Sequence, residues 1–279
     1  MKNYIIITGG HTGIGLGLTK KLLTAENKLG LILRNEERKE EFLSAIGTED
    51  SNLLKNIDFF FADLSDQEQV RAVGRQIATK WERVDRLFNN AGIAIMTRER
   101  KTSKQGNELH LEINTLAPLL LTEELKPLLI NAPNSRVVTT VTERLQKSKL
   151  ATTKIFNENY TSGMQLYLQS KLATLQVMND LAKQDSWHKV KFICVHPGNN
   201  KTNMTQSKEH MPRFIRFMVR LFFKDASFGA ERLYNAGFEL EFAGKSGIYL
   251  QNDKIISPKY ELSQEDKHAI MAAVQKVDS

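Results

Sequence analysis

Short apolar runs alternate with longer stretches of helical period along the chain, and this alternation limits the fold more than any other feature. Tyr4–Thr8, Leu29–Leu33, Ile57–Phe61, Val84–Phe88, Arg136–Val141, Val190–Val195 and Gly247–Leu250 read as strands. They are almost continuously hydrophobic, as strands covered on both faces are. Ile14–Thr24, Gln67–Trp81, Asn114–Ile130 and Gly163–Lys183 carry the helical period between them. Strand and helix in turn make βαβ units, so an α/β fold with a doubly wound parallel sheet is expected. Ser65 and Glu68 fit a capping box that would start a helix just after the third strand. A chain of 279 residues suits one large α/β domain or two small ones. No repeat, linker-like tract or composition shift marks a boundary, so a single domain over residues 1–279 is expected.

Lysine and arginine exceed the acids by 39 to 32, a formal net charge of +7. That excess fits nucleic acid, an anionic membrane surface or a phosphorylated cofactor, and charge alone does not choose among them. No basic and aromatic cluster lies on a recognisable reading element, so no nucleic-acid partner is expected. The single cysteine, Cys194, sits in an apolar run and reads as a core residue; it excludes an internal disulfide and fits a reducing compartment. No run approaches the roughly 20 apolar residues that span a bilayer. A soluble cytoplasmic protein without a metal site is the expectation.

Four motifs carry chemistry. Thr8-Gly9-Gly10-His11-Thr12-Gly13-Ile14-Gly15 ends the first strand and opens a helix. Glycines there let the backbone approach a pyrophosphate lying on the helix N-terminus. Glycine clusters also mark plain turns, but a strand before and a helix after favour a dinucleotide. Asn89-Asn90-Ala91-Gly92 ends the fourth strand, and His196-Pro197-Gly198, with Thr202 beyond, closes the sixth. Tyr167 and Lys171, four apart, share one helix face. A free tyrosine, pKa about 10, is a poor base at neutral pH. A neighbouring ammonium favours the phenolate and brings proton transfer within range.

In this order the motifs resemble the T-G-x-x-x-G-I-G, N-N-A-G, Y-x-x-x-K and P-G-x-x-x-T signatures of the short-chain dehydrogenase/reductase family. Within it, His110-Leu111-Glu112-Ile113-Asn114, Ser170-Lys171-Leu172-Ala173, Ser246-Gly247-Ile248-Tyr249 and the long step from Thr142 to Tyr167 resemble the retinol-dehydrogenase-like branch. The resemblance implies a Rossmann-type fold with a helical substrate lid, and it assigns roles. Thr8, Gly9, His11, Thr12, Gly13, Ile14 and Gly15 would cradle the dinucleotide. Asp63 and Leu64 would meet the adenine, Asn90, Ala91 and Gly92 the adenosine half, and Pro197, Gly198 and Thr202 the nicotinamide. Tyr167 would be the acid/base. Lys171 would hold the ribose and tune Tyr167, and Asn114 would link Lys171 to solvent through water. Thr142 stands where the family carries serine; it keeps the hydroxyl, but its methyl stiffens χ1 and crowds the site. Plainer readings stay open: a helix-start acid for Asp63, a turn at Asn90, a helix-surface residue for Asn114, and a strand former at Thr142.

The implied reaction is hydride transfer between a nicotinamide and an alcohol or carbonyl carbon of a small or lipophilic substrate. The second strand ends in Arg34-Asn35, where an acid would grip a ribose 2′-hydroxyl. Arginine suits a phosphate, so NADP(H) is expected over NAD(H). An ordinary surface arginine beside Glu36 and Glu37 is the alternative. A catalytically weak dinucleotide-binding regulator is the rival function, favoured only by Thr142. In residues 203–225, Arg213, Arg216, Arg220 and Lys224 oppose Phe214, Ile215, Phe217, Met218, Leu221 and Phe222. This pattern fits an amphipathic lid, a docked core helix, or a helix that touches an anionic membrane through residues 212–224 without spanning it. A homodimer is left open.

Overall fold

Eight strands make one sheet in the order β3-β2-β1-β4-β5-β6-β7-β8. The computed structural model describes residues 2–47, 51–97, 99–143, 145–160, 162–198 and 226–275. Thr202 and the lid segment 203–225 lie outside the described residues. The strands are β1 (Asn3–Thr8), β2 (Asn27–Leu33), β3 (Ile57–Phe61), β4 (Arg86–Asn89), β5 (Arg136–Thr140), β6 (Lys191–His196), β7 (Ile248–Gln251) and β8 (Lys254–Ile256). The helices are α1 (Gly13–Leu22), α2 (Glu36–Ile46), α3 (Ser51–Leu54), α4 (Gln67–Lys80), α5 (Leu109–Leu111), α6 (Ala117–Glu124), α7 (Lys126–Asn131), α8 (Thr152–Phe156), α9 (Gly163–Ala182), α10 (Ala226–Phe238) and α11 (Gln264–Gln275). The first seven strands are parallel. β8 returns antiparallel through Asn252 and Asp253, both at positive φ. The apolar pattern marks seven strands and misses β8, which is short, at the edge and largely exposed.

Both faces of the sheet are buried. Ile5 and Ile7 of β1 face one hydrophobic layer with Leu18, Leu22, Phe42 and Leu233, while Ile6 faces the other with Trp81, Leu120 and Leu175. Burial of this kind stabilises by about 25 cal/mol per Å² of apolar surface removed from water. Gly30 pairs with Ile6. A Cβ on Gly30 would lie 2.4 Å from Ile6 Cδ1 and 2.9 Å from Trp81 Cη2, so the missing side chain makes room for the indole.

Two helical expectations need correction. The cap of α4 is Asp66, whose carboxylate accepts from Glu68 N, and not Ser65; Ser65 donates from N and Oγ to Asp63 Oδ1. The stretch expected as one helix over Asn114–Ile130 is broken. A π turn spans Glu112–Leu116, then α6 and α7 meet at Leu125 with a proline in the first turn of each. α9 is buried without interruption from Ser170 to Met178. The C-terminal stretch helps enclose it: Tyr260 O accepts from Gln176 and Lys267 pairs with Asp180 at 2.8 Å. Among the described residues no helix is long and apolar enough to cross a membrane.

Two arginines, Arg136 buried and Arg86 half-buried, receive the C-terminus of α10. Arg136 donates to Ala236 O at 3.0 Å, and Arg86 donates to Gly237 O as well as to Asp85 O and Asn134 O. Burial pushes Arg86 down to about 10, with the neighbouring Arg136 adding to the effect. Cations at a helix C-terminus meet its negative dipole end. Arg86→Met removes the donor to Gly237 O, while Asp85 O keeps its bond from Arg136 N and Asn134 O faces solvent, so the expected cost is about 1–2 kcal/mol, read as a lower urea midpoint with an unchanged slope.

Candidate active site

The chain runs outward from β1 through β2 to β3 and restarts beside β1 with β4, so the sheet reverses direction between β1 and β4. A crevice opens at such a reversal, beyond the carboxyl ends of the strands. The glycine turn lies there. Gly9 and Gly13 have φ of +66° and +52°. A Cβ on Gly15 would fall 2.0 Å from Gly9 O and 2.7 Å from Asn90 Nδ2, so only glycine lets α1 start this close to the turn. Thr12 caps α1 in extended geometry without a side-chain bond, leaving the helix N-terminus to another acceptor. Thr8 and Gly15 act beneath the surface. Thr8 Oγ1 accepts from Asn90 N and Ala91 N at 3.0 Å each, tying β1 to β4.

From this turn a cleft of about 1220 Å³ extends in two directions. One arm passes His11, Arg34, Arg38, Ala62 and Leu64. Arg34 Nε is 3.5 Å from Asp63 Oδ2, and Arg38 pairs with Glu41 at 2.5 Å. Burial and then the Arg38 cation hold His11 below the usual histidine range, and its Nδ1 is buried without a partner. Asp63 does not line the cleft; its carboxylate turns to Ser65 and Arg34. Arg38 is a site residue the sequence reading missed. Its spacing of four from Arg34 was the available signal, but in α2 it reads as an ordinary surface position.

The other arm holds Thr142, Tyr167 and Lys171, with Asn90, Ala91, Gly92, Pro197 and Gly198 on its walls. Burial raises Tyr167, and a hydrogen bond with the Thr142 side chain draws it partly back. Lys171 Nζ donates to Thr140 O at 2.9 Å, and burial pushes its ammonium down to about 8. Tyr249 Oη donates to Thr142 O at 2.8 Å and steadies that strand end. Asn114 is buried behind the pair. Its Oδ1 accepts from Ile93 N at 2.9 Å, and its Nδ2 donates to Ile93 O and Ser170 Oγ. The Asn114 carbonyl, four residues before Pro118 and so offered no N–H by it, accepts from Thr174 Oγ1 at 2.7 Å. Ile93, Ala94, Ile95, Met96, Leu109, Ile113, Leu145, Met164 and Leu168 give this arm an apolar lining. Glu143 and His196 also line it; burial pushes His196 down to about 4, against the pull of Glu143. Glu143 was not singled out in the sequence, and His196 entered only as the first residue of His196-Pro197-Gly198, with no role of its own.

The sequence of residues 3–213 matches the short chain dehydrogenase family. The chain belongs to this family of oxidoreductases, in its retinol-dehydrogenase-like branch. Human retinol dehydrogenase 11 is 27% identical over 81% of this chain and 70% of its own length. Mouse retinol dehydrogenase 14 is 25% identical over 90% of this chain and 78% of its own. Among solved structures, the NADP complex of RhlG from Pseudomonas aeruginosa superposes with a TM-score of 0.69 at 21% identity, covering 90% of this chain and 94% of that one. NADPH-bound carbonyl reductase from chicken fatty liver gives 0.67 at 19%, covering 92% and 100%.

A Cβ on Gly92 would lie 2.8 Å from Asn114 Oδ1 and 3.1 Å from Lys171 Nζ. Gly92→Ala is therefore expected to push first on Asn114 Oδ1, which Ile93 N holds, and to crowd the Lys171 ammonium beyond it. A steady-state assay should show turnover reduced at least about tenfold, since misplacement by an ångström costs that much or more.

Proposed function

We propose that the protein is an NADP(H)-dependent oxidoreductase that interconverts an alcohol and an aldehyde or ketone, with Tyr167 as acid/base. The observation that carries this reading is one continuous cleft. It joins the uncapped N-terminus of α1 to the hydrogen-bonded Tyr167 and Thr142, with Lys171 buried alongside. The residues present fit a dinucleotide: the turn is closed to any Cβ at Gly15, and the helix N-terminus awaits an anion. His11, Thr12, Gly13 and Ile14 would hold its phosphates, Leu64 and Ala91 its adenosine half, and Lys171, Pro197 and Gly198 its nicotinamide end. When bound, the nicotinamide supplies or takes up the hydride.

In reduction, Tyr167 Oη gives its proton to the substrate oxygen, and in oxidation it takes that proton back. Thr142 Oγ1 donates to the same oxygen and polarises it. On this reading the Lys171 ammonium, one helical turn along α9, favours the Tyr167 phenolate, and Asn114 holds the Ile93 loop and α9 at a fixed separation. The apolar lining favours lipophilic carbonyl compounds, in keeping with the names of the retinol dehydrogenase relatives.

Purified protein should consume NADPH with members of a panel of aldehydes and ketones; no turnover on any of them would favour a regulatory role. Tyr167→Phe should lower kcat at least about 100-fold while cofactor affinity stays near wild type. Carbonyl reduction needs the phenol, so its rate falls as pH rises. Alcohol oxidation needs the phenolate, so its rate rises. Both limbs report an apparent pKa of the Tyr167–Lys171 pair, and Lys171→Met should move that value upward.

Arg34 and Arg38 support NADP(H) over NAD(H), because two guanidinium groups flank the arm where a ribose 2′-phosphate would lie. The wild type should favour NADPH in kcat/KM. Arg34→Ala and Arg38→Ala should each reduce that preference roughly tenfold, consistent with loss of one charge-assisted contact. A wild-type preference for NADH would overturn this assignment.

A further inference from the structure

His110 lies in α5, directly before the π turn, and is 2% exposed. Its Nε2 accepts from Ile95 N at 2.8 Å, so that nitrogen carries no hydrogen. The proton therefore sits on Nδ1, which lies 2.7 Å from Glu108 Oε1 and donates to it. The other oxygen of Glu108 accepts from Leu111 N at 3.0 Å and caps α5. The imidazole is thus held at both nitrogens and cannot turn. Its edge meets the Tyr167 ring, with centroids 6.3 Å apart and planes at 63°. An edge-to-face pair of this kind has a preferred geometry and is worth about 0.5–1.5 kcal/mol beyond the area it buries.

We propose that His110 is a positioning residue for Tyr167: its doubly anchored imidazole fixes the phenol ring in the cleft and, through Ile95, sets the substrate wall against it. This inference rests on Tyr167 being the acid/base. A merely structural histidine would need its two hydrogen bonds but no particular ring. Here the ring is what Tyr167 touches, and the hydrogen bonds hold that ring. Ile95 also lines the cleft, so one side chain couples the wall to the acid/base. Asn114 follows four residues later on the same segment, so the same stretch of chain sets the far side of the site.

The test separates ring from anchor. His110→Gln can keep an acceptor for Ile95 N while removing the ring. We expect kcat for carbonyl reduction to fall roughly tenfold, with KM for NADPH and the thermal midpoint close to wild type. In the Tyr167→Phe background His110→Gln should change the residual rate less than twofold, because the two act as one unit. A readout independent of turnover is the ultraviolet titration of the Tyr167 phenol, isolated by subtracting the matching Tyr167→Phe proteins. Opening its surroundings to water should lower that midpoint by about half a pH unit or more. An unchanged kcat and an unchanged titration would overturn the proposal. So would a parallel fall in kcat, NADPH affinity and thermal midpoint, which marks a structural role. A wild type inert on every carbonyl would count against the functional reading instead, and the titration would still decide whether His110 positions the phenol.

Discussion

The hydrogen bonds between the ends of β1 and β4 are the constraint on which the rest of the site depends. Thr8 Oγ1 accepts two backbone N–H groups, from Asn90 and Ala91, and the Asn90 side-chain amide reaches back to Thr8 O and Gly9 O. Two parallel strands that diverge beyond their last pairing would leave these groups unsatisfied, and a buried orphan costs about 1–3 kcal/mol each. With them paired, the glycine turn and the Asn90–Gly92 turn sit at one fixed spacing. From Gly92 the chain continues to Ile93, Ile93 holds the Asn114 side chain, and Asn114 holds Ser170 on α9. A short run of polar contacts therefore sets the glycine turn and the α9 segment that carries Tyr167 and Lys171 in one frame.

The π turn shows how that frame accommodates a local irregularity. An extra residue in a helix breaks the regular backbone ladder and frees a carbonyl, an arrangement that recurs at functional sites. Here the Asn114 carbonyl accepts from Thr174 Oγ1, and Thr115 Oγ1 donates to Ser170 O. Two threonines on facing helices thus tie the π turn to α9. Asn114 lies within this turn and holds the loop after β4 through both Ile93 N and Ile93 O.

Much of this was legible in the amino-acid order, for physical reasons. Buried parallel strands leave runs such as Ile5–Ile7 and Phe192–Val195, and the glycine turn and the Tyr167–Lys171 spacing are local patterns that survive without tertiary knowledge. What escaped depends on contacts between distant residues. Asp66 rather than Ser65 caps α4 because Ser65 is drawn to Asp63. β8 needs β7 beside it and has little apolar content of its own. Arg38 looks like any charged residue of α2 until the sheet brings its end against the cleft. His110 entered the sequence argument only as part of a family pattern, since its contact with Tyr167 spans two helices. The break at Leu125 was signalled by Pro118 and Pro127, yet proline in a first helical turn also starts helices, and only packing shows that it starts two.

The enclosure of α9 has a consequence for how the molecule is built. Nine consecutive residues of that helix, Ser170 to Met178, are buried, and part of the cover comes from Tyr260 and α11, far downstream in the chain. During synthesis the helix that bears Tyr167 and Lys171 emerges well before its lid of apolar and charged partners does. Until that stretch docks, α9 presents a greasy flank to the surroundings, and the slow, non-local closure of this contact is the step at which a nascent chain is most exposed to association with its neighbours. The glycine turn and strands β1 to β5 can form early, whereas Tyr167 and Lys171 acquire their dry setting at the end.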